Sequence, residues 1–179
     1  MPMESPPAES FWIQVEGEKL SQGDYLLDCP VPIFPANYGS TPSGSTVEIA
    51  RGNLIVVTQS CDLENNKVKM VALCPIYTIA EFTSTDDKKK LATHLEEIRR
   101  GKFEALHMLS STQNPESNMD VRIVDFRDIY CLPVQFLGSH AAKLGKRWRL
   151  KSPYLEHFSQ AFARFFMRVG LPSTIQKFK

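Results

Sequence analysis

The sequence predicts a mainly β protein of the α+β class, a small half-open β-barrel with one inserted helix and a C-terminal amphipathic helix. Three observations carry this. Leu54-Ile55-Val56-Val57-Thr58 is a β-branched run bounded by Gly52-Asn53 and Cys61-Asp62, as in a buried strand. Val68, Met70, Ala72 and Cys74 alternate with Lys69, Val71 and Leu73, as a hairpin partner would. Leu155, Phe158, Phe162, Phe165, Phe166 and Val169 recur at three- and four-residue steps, which marks one apolar helix face.

Residues 1–10 are rich in Pro, Ser and Glu and are expected to form a flexible tail, leaving 11–179 as a single domain. Phe11-Trp12-Ile13 is the first cluster that must pack. Ser21-Gln22-Gly23-Asp24 predicts a turn, after which Tyr25-Leu26-Leu27 opens a strand. Pro30, Pro32, Pro35 and Pro42 place 30–46 in a long loop or at a sheet edge, because proline lacks a ladder donor. Asn65-Asn66 predicts a turn and Pro75 the end of the hairpin partner. Leu91, Leu95 and Ile98 predict the inserted helix at about 86–100, with Lys88-Lys89-Lys90 solvated and Gly101 as its stop.

Further strands are expected at Ala105–Leu109, Met119–Phe126, Ile129–Leu137 and Arg147–Lys151, with a turn at Gln113-Asn114-Pro115-Glu116. The last helix is expected at about 153–169. Ser152 is placed to accept a backbone N–H at its start, Pro153 suits its first position, and Gly170 suits a left-handed terminator.

The bulk numbers narrow the function classes. The chain has 179 residues, 42% of them hydrophobic, and a formal net charge of +1 from 21 basic and 20 acidic side chains. No global field draws it to nucleic acid, so such binding would need a local patch. No apolar run approaches the ~18 residues a membrane span requires. The first residues lack a basic region and an apolar stretch, so no signal peptide is expected; the expected location is cytoplasmic and no membrane partner is expected. Cys29, Cys61, Cys74 and Cys131 show no C-x-x-C spacing and are expected as free thiols.

Four groups of residues could carry chemistry. Gln59-Ser60-Cys61-Asp62 is an unusual polar cluster after the most apolar strand. A cysteine nucleophile there would need a base, so the plainer expectation is that Ser60 and Asp62 satisfy turn backbone while Cys61 packs. Lys143, Lys146, Arg147, Arg149 and Lys151 form a basic strip around Trp148. On a strand, Arg147, Arg149 and Lys151 would share one face and could neutralise phosphates. Phe158, Phe162, Phe165 and Phe166 need an apolar surface opposite, either the protein's own core or a partner. Cys29, Cys74 and Cys131 each precede a proline at a strand end, but without paired spacing no metal or other cofactor is expected. Asp125 and Asp128, flanking Arg127, are expected as turn and salt-bridge residues.

Taken in order, these segments resemble the PemK/MazF-like family of SH3-type barrels. The resemblance rests on Gly23-Asp24-Tyr25-Leu26-Leu27, Leu54-Ile55-Val56-Val57-Thr58, Val71-Ala72-Leu73-Cys74-Pro75-Ile76, Ile123-Val124-Asp125-Phe126-Arg127-Asp128-Ile129 and the closing helix. It implies an SH3-like barrel that binds single-stranded RNA and, where the chemistry is retained, cleaves it as a metal-independent endoribonuclease. By position it would put the catalytic arginine at Arg51 and the Ser/Thr at Thr78, with Lys146, Arg147, Arg149 and Lys151 holding RNA. A cation of that kind would stabilise charge building on the phosphorane. The family's Arg-Pro start is Arg51-Gly52-Asn53 here, and the first loop is longer. A non-catalytic protein-interaction module or accessory subunit on the same barrel therefore stays open. Its partner, or a second copy of the chain, would dock through the barrel or the C-terminal helix.

Overall fold

The computed structural model of the chain describes residues 10–36, 38, 46–83, 88–112 and 120–167. The elements run β1 (Trp12–Val15), β2 (Asp24–Ile33), β3 (Glu48–Val56), α1 (Ser60–Glu64), β4 (Met70–Thr78), α2 (Ile79–Phe82) and α3 (Lys88–Arg99). They continue as β5 (Leu106–Leu109), β6 (Arg122–Asp125), β7 (Tyr130–Pro133), α4 (Val134–Leu144), β8 (Arg147–Leu150) and α5 (Tyr154–Phe166). The class is mixed α+β and mostly β, as the sequence predicts. Residues 1–9 of the tail expected at 1–10, the 113–116 turn and Gly170 lie outside the described residues.

Eight antiparallel strands form one sheet in the order β1-β8-β2-β3-β4-β6-β5, with β7 also on β4. Among the described residues the two ends of that order, β1 and β5, do not pair with each other, so the sheet is not closed. Strand β4 changes partner along its length. Met70–Leu73 pairs with β7, Leu73–Pro75 with β3 and Ile76–Thr78 with β6.

Both faces of the sheet are covered, which is why its central strands read as continuous apolar runs. Leu26, Leu54, Val56, Val71 and Leu73 face one cluster, closed by Leu137 and Ala141 of α4 and by Leu63 of α1. Their neighbours Tyr25, Ile55, Val57, Cys74 and Ile76 face the other, closed by Phe158 of α5. Gly23 joins three strands at the turn before β2. Its N–H donates to Val56 O and its carbonyl accepts from Leu150 N–H. With φ at +81° and a Cβ position only 2.9 Å from Leu150 Cβ, no other residue fits there without strain.

Several expectations are corrected. The segment Ile129–Leu137 is not one strand, because Pro133 turns the chain out of β7 and α4 begins at Val134. Pro75 does not end β4. The Val57 N–H bonds to Ala72 O on the β3 side, so by alternation the Pro75 nitrogen faces the other side. That side has no rung between Leu73 and Ile76, and the missing donor costs no ladder bond. Pro30 and Pro32 belong to β2, on a half that β8 does not reach, since β8 pairs only with Asp24 and Tyr25. Ser152 does not cap α5 through a backbone N–H; its hydroxyl bonds Glu156 Oε1 at 2.6 Å.

Candidate functional site

Arg51 and Thr78, expected from the family resemblance, lie on adjacent strands. The β3–β4 register pairing Leu54 with Pro75, carried three residues further, would set Arg51 opposite Thr78. The ladder stops at the Leu54 rung, however, and β4 turns to β6. Arg51 Nη1 bonds the Asp28 carboxylate at 2.8 Å and its carbonyl at 3.2 Å. Asp28 is the bulge residue of β2, with φ at +47°, so Arg51 braces the bulge. Thr78 caps α2. Its Oγ1 accepts the Glu81 N–H at 3.2 Å, and Glu81 Oε2 accepts the Thr78 N–H at 2.7 Å. That arrangement places a carboxylate beside Thr78, which disfavours a phosphate there.

The basic strip is arranged differently from the expectation. Arg147 is buried, and with Arg149 it grips the carboxylate of Asp24, which is wholly buried. Arg147 Nε and Nη2 both lie 3.1 Å from Asp24 Oδ2, and its guanidinium also bonds the carbonyls of Gly17 and Lys19. Asp24 Oδ2 further accepts the Ser21 N–H. The triad ties the β1–β2 loop to β8. Trp148 packs with the α5-side cluster, and Lys146 extends into solvent 4.0 Å from Glu16. Lys151 is half-buried.

The polar cluster after β3 forms α1, a single turn, and not an open turn. Ser60 Oγ lies 2.6 Å from Ser21 Oγ and accepts the Gln22 N–H, while Gln59 precedes the helix as its cap residue. Cys61 is exposed and does not pack; its thiol donates to the side-chain oxygens of Gln59 and Asp62, each at 3.8 Å. Asp62 is 3.7 Å from Lys67. Burial pushes the thiols of Cys29 and Cys74 up to about 11 and about 12, so both stay protonated. No group of three or more His, Cys, Asp or Glu among the described residues could hold a metal ion. Asp125, the last residue of β6 and not of the turn, makes the expected salt bridge with Arg127: burial raises its carboxyl, and the Arg127 bonds outweigh that and lower it.

A cleft lies elsewhere on the molecule. A cleft of about 630 Å³ lies between the end of α3, β5 and α5, within the range of ligand sites. Phe11, Phe103 and Ala161 give it an apolar lining. Arg99, Arg100 and Arg164 bring cations, against one carboxylate, Glu104. Arg99 and Arg100 share Glu96, whereas the Arg164 guanidinium has no hydrogen-bond or ion-pair partner among the described residues. His107 lies in the wall, stacked 6.1 Å from Phe126 and tilted at 5.8 Å from Phe158. Burial, then the charges of Arg164 and His157, push its imidazole down to about 4, so it is neutral at pH 7.

The helix face expected from the phenylalanines lies beside this cleft. Phe158 is fully buried, and burying it is worth ~2 kcal/mol. Phe162 and Phe165 pack around Phe126 at 5.3 and 6.2 Å, while Phe166 is 53% exposed. The sequence reading finds these residues but not the cleft, because its walls come from three segments far apart in the chain. The available signal was the short strand Ala105–Leu109, whose place at the end of the sheet no local pattern reveals. No helix among the described residues is long and apolar enough to cross a membrane. No known protein-family model matches the chain, and no curated protein matches it.

Proposed function

We propose that this chain is a non-catalytic protein-interaction module, in the manner of an accessory subunit, that holds its partner in the cleft between β5 and α5. The observation that carries the reading is the cleft itself, with an apolar lining, a cationic rim and one wall made by a sheet-end strand. The engagement of the residues a nuclease would use counts against RNA cleavage and in favour of this reading. Arg147 and Arg149 are held by Asp24, and Thr78 closes a capping box with Glu81. The test is a photo-crosslinking amino acid at Phe103 in the cleft, with Ile49 on the exposed β3 arm as control, in living cells. A discrete protein adduct from position 103 that is absent from position 49 supports the module. An absence of any cleft adduct sinks it.

A second reading has its own observation. Arg51 makes an exposed ion pair with Asp28, with side-chain exposures of 59% and 67%, and such pairs are worth ~0–1 kcal/mol. A phosphate could displace Asp28, and Lys146 and Lys151 flank β8 on the same sheet. On this reading the sheet is a half-open, SH3-like barrel of PemK/MazF type that binds single-stranded RNA and cleaves it without metal. Incubation with a mixed single-stranded RNA pool in EDTA tests it. Cleavage that vanishes in Arg51→Ala supports the nuclease; intact RNA with clean, monodisperse protein removes it.

A further inference from the structure

Strand β5 is the end of the sheet, and its outer edge is the wall of the cleft. The register pairs Leu106 with Asp125, His107 with Val124, Met108 with Ile123 and Leu109 with Arg122. One rung earlier, the Phe126 N–H donates to Ala105 O at 2.8 Å. Main-chain groups alternate in direction along an antiparallel strand, so Ala105, His107 and Leu109 turn theirs to β6. Leu106 and Met108 turn theirs outward, into the cleft. The Leu106 N–H is taken by Phe103 O. The Leu106 carbonyl and both main-chain groups of Met108 have no partner among the described residues. The consecutive residues Leu106–Ser110 all border the cleft.

An unpaired N–H and C=O on one residue, with a further C=O two residues away, is the hydrogen-bonding pattern that an added strand completes. Sheet ends are normally shortened or covered to prevent such pairing. β5 is only four residues long, and α3 and α5 flank its edge without filling the cleft. The rim supplies the second half of the recognition. Arg164 projects from α5 with no carboxylate partner among the described residues, Arg99 and Arg100 share one glutamate, and neutral His107 adds no charge. An occupant therefore gains by bringing carboxylates, while its apolar side chains meet Phe11, Phe103 and Ala161.

We infer that the partner enters this cleft as an extended acidic peptide segment that pairs with Met108 as an added edge strand and places a carboxylate on Arg164. The inference rests on the reading of the cleft as a partner site. Alternation along a strand lets a segment of alternating apolar and acidic residues present its apolar side chains to one face and its carboxylates to the other.

The experiment uses the full chain and a fluorescein-labelled peptide of alternating valine and glutamate, about eight residues long to match a strand, followed by fluorescence anisotropy. Its comparators are the valine–lysine peptide and two acidic peptides, each methylated on the backbone nitrogens of one edge. Saturable binding is expected for the acidic peptide, and weaker binding by about tenfold or more for the lysine peptide, for one methylated peptide and for Arg164→Glu. The backbone amide of Met108 is expected to shift on binding in NMR spectra. Arg164 is exposed on α5, so its replacement leaves the core intact, and the methylated peptides need no change to the protein at all. Equal binding of every peptide, or none by the acidic one, overturns the inference. If the crosslinker at Phe103 still captures a partner in that case, the module reading stands and only the strand mode fails. If it captures none, both fail.

Discussion

At the scale of single residues, the decisive feature is which charges are buried with a partner. Asp24 has no exposed surface and neutralises Arg147, whose side chain is 1% exposed. Removing the carboxylate would strand a buried guanidinium, so Asp24→Ala is expected to cost about 3–5 kcal/mol in urea unfolding. Arg149→Ala is expected to cost about 1 kcal/mol, since Arg147 still answers Asp24 and Arg149 is 24% exposed. A comparable loss in the two variants would mean that the triad is not organised around Arg147. His107 gives a pH signature. Its folded value of about 4 lies below the ordinary 6.5, so between those values the unfolded chain binds more protons. The stability it confers is complete above about pH 6.5 and is lost as pH falls towards about 4, by at most about 3 kcal/mol. Unfolding of wild type and His107→Phe across pH 4–7 checks this, and the variant is expected to lack that part of the slope.

At the scale of elements, Thr78 separates two accounts of β4. As the cap of α2 it should lose about 1 kcal/mol on Thr78→Val, because the Glu81 N–H loses its acceptor. Denaturant midpoints measure this, and no loss would show that the capping box is not formed in solution. The same contrast explains what the sequence disclosed. The Leu54–Val57 run was legible because it is buried on both faces, and α5 because its phenylalanines repeat on one side. Helix α4 was not legible as a helix. Val134, Leu137 and Ala141 have helical spacing, but they follow Tyr130–Pro133, four residues of genuine strand, so the apolar stretch reads as one β segment. Among the site residues, Phe158 and the cation at Arg164 could be placed on α5 by period alone. The contact of Arg147 with Asp24 spans 123 residues of chain, and no local pattern encodes it.

At the scale of the whole molecule, protection should fall from the middle of the sheet to its ends, and that gradient connects stability to the proposed function. β3 and β4 lie between two apolar clusters, one closed by α4 and the other by α5. Their amides should open only with global unfolding. β1 and β5 each have one neighbour. Within β5, the direction of the main-chain groups makes a sharper forecast. The N–H groups of His107 and Leu109 are bonded to β6, whereas that of Met108 faces the cleft. Native-state hydrogen exchange should therefore find Met108 exchanging much faster than His107 and Leu109. Addition of the acidic peptide should slow Met108 towards its neighbours, because a partner strand supplies the missing acceptor. Uniformly slow exchange across β5 in the free protein would mean that the edge is already occupied. The cleft would then have no vacant hydrogen bonds to offer, and binding there would have to rest on Arg164 and the aromatic lining alone.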